Sequence, residues 1–157
     1  MNELVLTHYT AEPFVLDRSR TYTQDSGNLK PNGLWLSDDS SFGWAEWCRE
    51  QGFVVEALEH ATSFTIRPGA AILHITERDQ MRALPARYPR YDLGPLSSHY
   101  VDWSAVAAEY DGILITPYQW SARLDVTTVW YFGWDVASAC IWHPEVLTPL
   151  TTTAATS

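Results

Sequence analysis

The amino-acid sequence predicts a single compact α+β domain, in which short and mostly antiparallel strands form a split sheet beside a few helices. The length of 157 residues suits one domain with its own core. Short apolar runs separated by Gly- and Pro-rich turns are typical of short strands, and only a few segments carry apolar residues at helical spacing. We assign residues 1–148 to this domain. Residues 149–157 have no large apolar side chain after Leu150, so we predict a frayed tail there.

The N-terminal half predicts four strands and one helix. Asp and Ser residues at positions 38–41 offer N-cap side chains, Trp44 and Trp47 follow at helical spacing, and Gly52 is a typical helix end. The turn-forming pair Pro68-Gly69 separates two apolar segments, which predicts a hairpin. The predicted strands are residues 4–10, 30–37, 62–67 and 71–75, and the helix starts near residue 40.

The C-terminal half predicts a helix over residues 77–84 and a long irregular loop over residues 85–98, where prolines and a glycine are frequent. Asp102 is the expected N-cap of another short helix. Apolar or alternating segments then predict three further strands, at residues 113–116, 124–132 and 139–142.

Composition argues against several functional classes. The chain has 10 Lys and Arg against 19 Asp and Glu, a net charge of −9, which disfavours stable binding to nucleic-acid phosphates. No apolar run approaches the roughly 20 residues of a membrane span, and no basic segment starts a signal peptide. The two cysteines, Cys48 and Cys140, fit buried thiols in a reducing cytoplasm, and no close ligand pairs predict a metal site.

Aromatic residues are unusually frequent, with eight Trp and eight Tyr. Their flat apolar faces and polar edges suit the wall of a pocket for a planar ligand. A Trp-rich core is the alternative interpretation.

Two strand ends carry the candidate binding residues. His8 lies beside Tyr9 and Thr10, and an imidazole with neighbouring hydroxyls suits hydrogen bonding to a ribose. In the next strand Gly33 permits close approach of the chain, Trp35 offers a stacking surface, and Ser37 a hydroxyl. The alternative for His8 is a histidine with a purely structural role.

The order of these motifs resembles the NAD-binding core of the ADP-ribosyltransferase superfamily, in its histidine-first subgroup of bacterial toxin or phage type. Two later segments are similar to that family: the Tyr110-Asp111-Gly112-Ile113 run and the closing apolar segment at residues 139–147. The resemblance implies that NAD is the substrate and that ADP-ribose passes to a macromolecular acceptor, a protein or a nucleic acid. An antitoxin or immunity protein is a further implied partner, and the negative charge slightly favours a basic protein acceptor.

The resemblance also implies roles for individual residues. His8 and Thr10 would hold the adenosine-side ribose and the carboxamide, and Ser37 would also bond the carboxamide. Trp35, where the family usually has tyrosine, would stack on nicotinamide together with Tyr9 or Tyr110.

The chain departs from the family at the catalytic carboxylate, because Ser138 stands where the family has glutamate. Asp135, Asp111 and the uncharged Gln119 are the available substitutes, and we assign the role to Asp135. The loss of that glutamate also supports a second hypothesis, a catalytically inactive binding module for a nucleotide or a partner. A glycan-binding aromatic platform is a third.

Overall fold

The computed structural model describes residues 3–25 and 27–154, the last four of these by their backbone alone. It confirms the predicted α+β class: one curled sheet of seven strands is flanked by three α-helices and several 3₁₀ turns. The strands are β1 (Leu6–Thr10), β2 (Leu34–Ser37), β3 (His60–Ile66), β4 (Ile72–Ile75), β5 (Gly112–Ile115), β6 (Ser138–Ile141) and β7 (Leu147–Ala154). The helices are α1 (Trp44–Gln51), α2 (Arg78–Arg87) and α3 (Trp103–Ala107).

The sheet has the order β4-β5-β6-β2-β1-β3-β7. Within the described residues every pairing is antiparallel except that of β4 with β5, which is parallel. Ser37 of β2 lies opposite both Thr7 of β1 and Ser138 of β6. The ends of β1, β2 and β6 therefore meet at one place in the sheet.

The central strands are buried on both faces, which explains their continuous apolar sequences. Ile113 and Ile115 of β5 face a core with α2, α3 and the buried Trp103, whereas Leu114 faces a second core with Leu6. No helix within residues 3–25 and 27–154 is long and apolar enough to cross a membrane.

Half of the eight tryptophans belong to the core, as the alternative interpretation of a Trp-rich core predicts. These four are at most 1% exposed: Trp103, Trp130, Trp134 and Trp142. Trp35, Trp44 and Trp47 are half-buried. Trp120 is 64% exposed. The two cysteines are free and buried, as predicted.

The predicted hairpin around Pro68-Gly69 is wrong. β3 pairs with β1 and β7, while β4 lies at the far edge of the sheet against β5. The turn is present, with Gly69 at φ 85°, but it sends the chain across the molecule.

Other predicted elements also differ. Residues 124–132 form no strand; Asp125 caps a 3₁₀ segment, Val126–Tyr131, by accepting a hydrogen bond from the Thr127 amide. The predicted loop at 85–98 includes the last turn of α2 and a kinked 3₁₀ segment, Tyr91–His99. The predicted frayed tail is instead part of edge strand β7 as far as Ala154, and residues 155–157 lie outside the described residues.

Gly33 is required by sheet packing. A Cβ at this position would lie 2.7 Å from both Cys140 Sγ and the Ile141 carbonyl oxygen on the neighbouring strand. We expect Gly33→Ala to lower the free energy of unfolding by about 1–3 kcal/mol, because the clash involves backbone that cannot move cheaply.

Urea unfolding followed by circular dichroism measures that change. Gly27→Ala is the matched control, since a Cβ there meets its nearest neighbour, Asp25 Oδ1, at an ordinary 3.4 Å. Equal stability of the two variants would contradict the assigned role of Gly33.

Candidate functional site

A cavity of about 270 Å³ opens where the ends of β1 and β2 meet the first turn of α1 and the chain segment that enters β6. Six of the residues predicted from sequence line it: His8, Tyr9, Trp35, Ser37, Asp135 and Ser138. The remaining lining residues are Thr7, Lys30, Leu36, Trp44, Gly133, Trp134 and Val136. The pairing of β2 with both β1 and β6 brings these distant parts of the chain together.

His8 is held in one orientation by the neighbouring strand. Its Nδ1 lies 2.8 Å from the Trp35 carbonyl oxygen, and Phe14 packs edge-on at 4.6 Å between ring centroids. A carbonyl only accepts hydrogen bonds, so Nδ1 carries the proton and Nε2 of the neutral ring is an acceptor. Burial lowers the pKa of His8 below its ordinary value, although the bond to the carbonyl partly opposes this. His8 is therefore neutral at pH 7 and able to accept a hydrogen bond from a hydroxyl.

The lowered pKa of His8 predicts a loss of stability in mild acid. The unfolded chain takes up a proton near the ordinary pKa of 6.5, before the folded protein does. The contribution of His8 to stability is thus complete above that pH and falls as the pH drops toward the folded-state pKa. We expect His8→Gln, which keeps a donor and does not titrate, to lose less unfolding free energy than the wild type between about pH 7.5 and about pH 5.5.

Urea unfolding of both proteins at the two pH values checks this expectation. An identical pH dependence in the wild type and the variant would show that His8 has the same pKa in the folded and unfolded states.

Asp39 connects two side chains that line the cavity. It accepts hydrogen bonds from Tyr9 Oη at one carboxylate oxygen and from Ser37 Oγ, at 2.6 Å, at the other. Ser37 Oγ in turn accepts from the Trp44 amide at 2.8 Å, so it satisfies an unpaired donor at the start of α1. A Cβ on Gly43 would lie 1.9 Å from Asp39 Oδ1, so only glycine leaves room for the carboxylate.

The sequence does not indicate this role of Asp39, whose position before the helix predicts an N-cap. The observed N-cap is Gly43, without a capping side chain, and the cap function passes to Ser37. Burial, and then Asp39, raise the pKa of Tyr9, so its phenol stays protonated.

The aromatic wall of the cavity is fixed from behind. Trp35 packs edge-on against the buried Trp134 at 4.7 Å between centroids, and Lys30 Nζ lies 4.4 Å from the Trp35 ring centroid. Lys30 also donates to the Gly133 carbonyl at 2.8 Å. Burial lowers the pKa of Lys30, and the charge of Asp135 partly opposes this. The sequence gives no signal for Lys30 beyond the scarcity of basic residues around it.

Asp135 is a partly exposed carboxylate at the entry to β6. Its Oδ1 lies 3.2 Å from a guanidinium nitrogen of Arg123, and its side chain is 23% exposed. Asp135 also lines a second cavity, of about 260 Å³. It is thus the charged group common to two adjacent concave surfaces.

Ser138 brings no charge to the site. It is 8% exposed, and its hydroxyl donates to the Val136 carbonyl at 3.1 Å. In the described part of the chain, Asp135 is therefore the carboxylate that lines the first cavity.

Four predicted site residues lie outside the lining of this cavity. Thr10 Oγ1 donates to the Glu12 carbonyl, and Gly33 serves β2–β6 packing. The Tyr110 carbonyl accepts from Trp142 Nε1, and Gln119 donates to the Thr76 and Pro117 carbonyls. Asp111, the alternative carboxylate, holds the Ala71 amide and His143. The side chains of Thr10, Gln119 and Asp111 therefore make hydrogen bonds within the fold.

Comparisons with known proteins give no relative: no family model, curated protein or solved structure matches this chain. The similarity to ADP-ribosyltransferases therefore stays a prediction from the sequence motifs.

Proposed function

We propose that this protein is an NAD-dependent mono-ADP-ribosyltransferase, which cleaves the nicotinamide–ribose bond and passes ADP-ribose to a macromolecular acceptor. The observation that carries the proposal is the convergence of His8, Trp35 and Asp135, from opposite ends of the chain, on one cavity. The family resemblance implies a histidine, a second-strand aromatic residue and a carboxylate for NAD. Here Trp35 replaces the usual tyrosine, Asp135 substitutes for the missing glutamate, and both line the cavity with His8.

Each of these groups fits a chemical requirement of the reaction. The unprotonated Nε2 of His8 accepts a hydrogen bond from a ribose hydroxyl. Trp35, backed by Trp134 and Lys30, supplies a rigid aromatic surface for the nicotinamide ring. Asp135 supplies negative charge for the positive charge that grows on the ribose as the bond to nicotinamide breaks.

The ion pair of Asp135 with Arg123 also matters for this role. Arg123 binds one carboxylate oxygen and fixes the side chain, while Lys30 is close enough for the charge of Asp135 to affect its pKa. A carboxylate held in a fixed orientation is suited to stabilising a cationic transition state.

Incubation of the purified protein with NAD, followed by measurement of free nicotinamide, tests the proposal. Activity should require His8, so His8→Ala should be strongly impaired. His74→Ala, at an exposed position on the edge strand β4, is the matched control and should retain wild-type activity. A folded wild-type protein that releases no nicotinamide, alone or with cell lysate, would overturn the transferase proposal.

A non-catalytic NAD-binding module is the second candidate, and the serine at position 138 favours it. In that case NAD would quench tryptophan fluorescence, through Trp35 and Trp44 at the cavity, with no release of nicotinamide. Parallel measurement of quenching and nicotinamide separates the two functions.

A further inference from the structure

The second cavity lies beside the first and shares Asp135 and Val136 with it. Its other walls are the segment that follows β2, with Asp38, and the segment that follows β5, with Tyr118 and Trp120. Any group bound there approaches the same carboxylate that serves the first cavity. This arrangement is suited to a second reactant.

The charge of the second cavity is negative. Its described lining includes the carboxylates of Asp38 and Asp135 and no Lys or Arg. Asp38 accepts hydrogen bonds from Ser40 and from Thr116 Oγ1, and the charge of Asp135 is partly compensated by its ion pair with Arg123. A phosphodiester would meet repulsion here, on a chain that is itself strongly acidic.

Trp120 and Tyr118 form an aromatic edge of the second cavity that is suited to binding cations. Trp120 is 64% exposed, and its ring meets Tyr118 edge-on at 4.6 Å between centroids. Tyr118 Oη donates to the Trp134 carbonyl, which anchors the pair to the first cavity wall. An exposed indole face beside carboxylates binds cations, and it favours a planar guanidinium, which stacks, over an ammonium.

We infer that the second cavity receives an arginine side chain of an acceptor protein, which stacks on Trp120 and points its guanidinium toward Asp135. This inference rests on the proposed function and names its acceptor.

Transfer of ADP-ribose from NAD to the arginine needs no further reactant. The bond between ribose C1′ and the nicotinamide nitrogen breaks, and its electron pair leaves with neutral nicotinamide. A guanidinium nitrogen bonds to C1′, and its proton passes to the Asp135 carboxylate and then to water.

Two measurements test the inference. The first is transfer of labelled ADP-ribose from NAD to poly-arginine, with poly-lysine and a DNA oligonucleotide as competing acceptors and with nicotinamide release recorded in the same reactions. The second is binding of agmatine, a small guanidinium compound, measured by isothermal titration calorimetry without NAD. Both use the wild type, Trp120→Ala and a matched exposed aromatic control, Tyr91→Ala, which is 82% exposed and lines neither cavity.

We expect poly-arginine to be the preferred acceptor. In Trp120→Ala, both the ratio of labelled acceptor to released nicotinamide and the affinity for agmatine should fall by about tenfold, with Tyr91→Ala like the wild type. Preferred labelling of poly-lysine or DNA, or an unchanged ratio in Trp120→Ala, would overturn the arginine site while nicotinamide release still supports the transferase. Agmatine binding that depends on Trp120, without nicotinamide release, would support the guanidinium site and reject the transferase.

Discussion

Asp135→Asn is expected to lower the rate of nicotinamide release by about 10²- to 10³-fold, the usual effect of removing one group that stabilises transition-state charge. Asparagine keeps the size and a hydrogen-bonding oxygen but removes the negative charge. The ion pair with Arg123 is partly exposed, so its loss should cost at most about 1 kcal/mol of stability. A large loss of activity in a protein of nearly unchanged stability is the combination we expect.

The rate of nicotinamide release is measured from progress curves, and urea unfolding gives the stability of each variant. Asp79→Asn is the control, because Asp79 is an exposed carboxylate in the first turn of α2. Activity of Asp135→Asn within about twofold of the wild type would contradict an electrostatic role for this side chain.

Trp142→Ala is expected to lower the free energy of unfolding by about 3–5 kcal/mol, the range for removing a large buried aromatic side chain. Trp142 directly follows β6, is 0% exposed, and donates through Nε1 to the Tyr110 carbonyl at 2.6 Å. The truncation opens a cavity and also leaves that carbonyl without its partner. The unfolding free energy of Trp142→Phe should lie between those of the wild type and Trp142→Ala, because phenylalanine keeps much of the ring volume but loses the hydrogen bond.

Urea unfolding followed by far-ultraviolet circular dichroism is the appropriate measurement, since each variant removes a fluorescent tryptophan. Trp120→Ala is the same substitution at a 64% exposed position and should change stability by less than about 0.5 kcal/mol. Similar effects at positions 142 and 120 would mean that the chain does not bury Trp142 as described.

Sequence patterns predicted the strands that are buried on both faces, because their apolar runs end at clear turn residues. The strand at residues 113–116, for example, ends at Pro117, and the observed strand β5 covers Gly112–Ile115. Pairing was less predictable. Nothing local to residues 60–75 indicates that β3 is flanked by β1 and β7, so a turn between two apolar segments was interpreted as a hairpin. Alternation at 124–132 failed because Asp125 caps a 3₁₀ turn there.

The candidate site was also predicted only in part. His8, Trp35 and Asp135 were predicted from residue type and position, and they line one cavity. Residues that support the cavity lining were not predicted. Asp39 binds Tyr9 and Ser37, and Lys30 packs on Trp35, through contacts that exist only once distant segments meet.

The position of β6 in the sheet has a consequence for biosynthesis. β6 alone joins the pair β4-β5 to the group β2-β1-β3-β7, and it comes late in the chain. Until a ribosome has made β6, which begins at Ser138, the β4-β5 pair has no strand that connects it to β1, β2 and β3, and such long-range pairings form slowly. His8 and Asp135 can line the same cavity only after β6 has left the ribosome and paired with β2. Nascent chains should therefore have no NAD-cleaving activity, and a chain cut before Ser138 should be a substrate for chaperones and proteases.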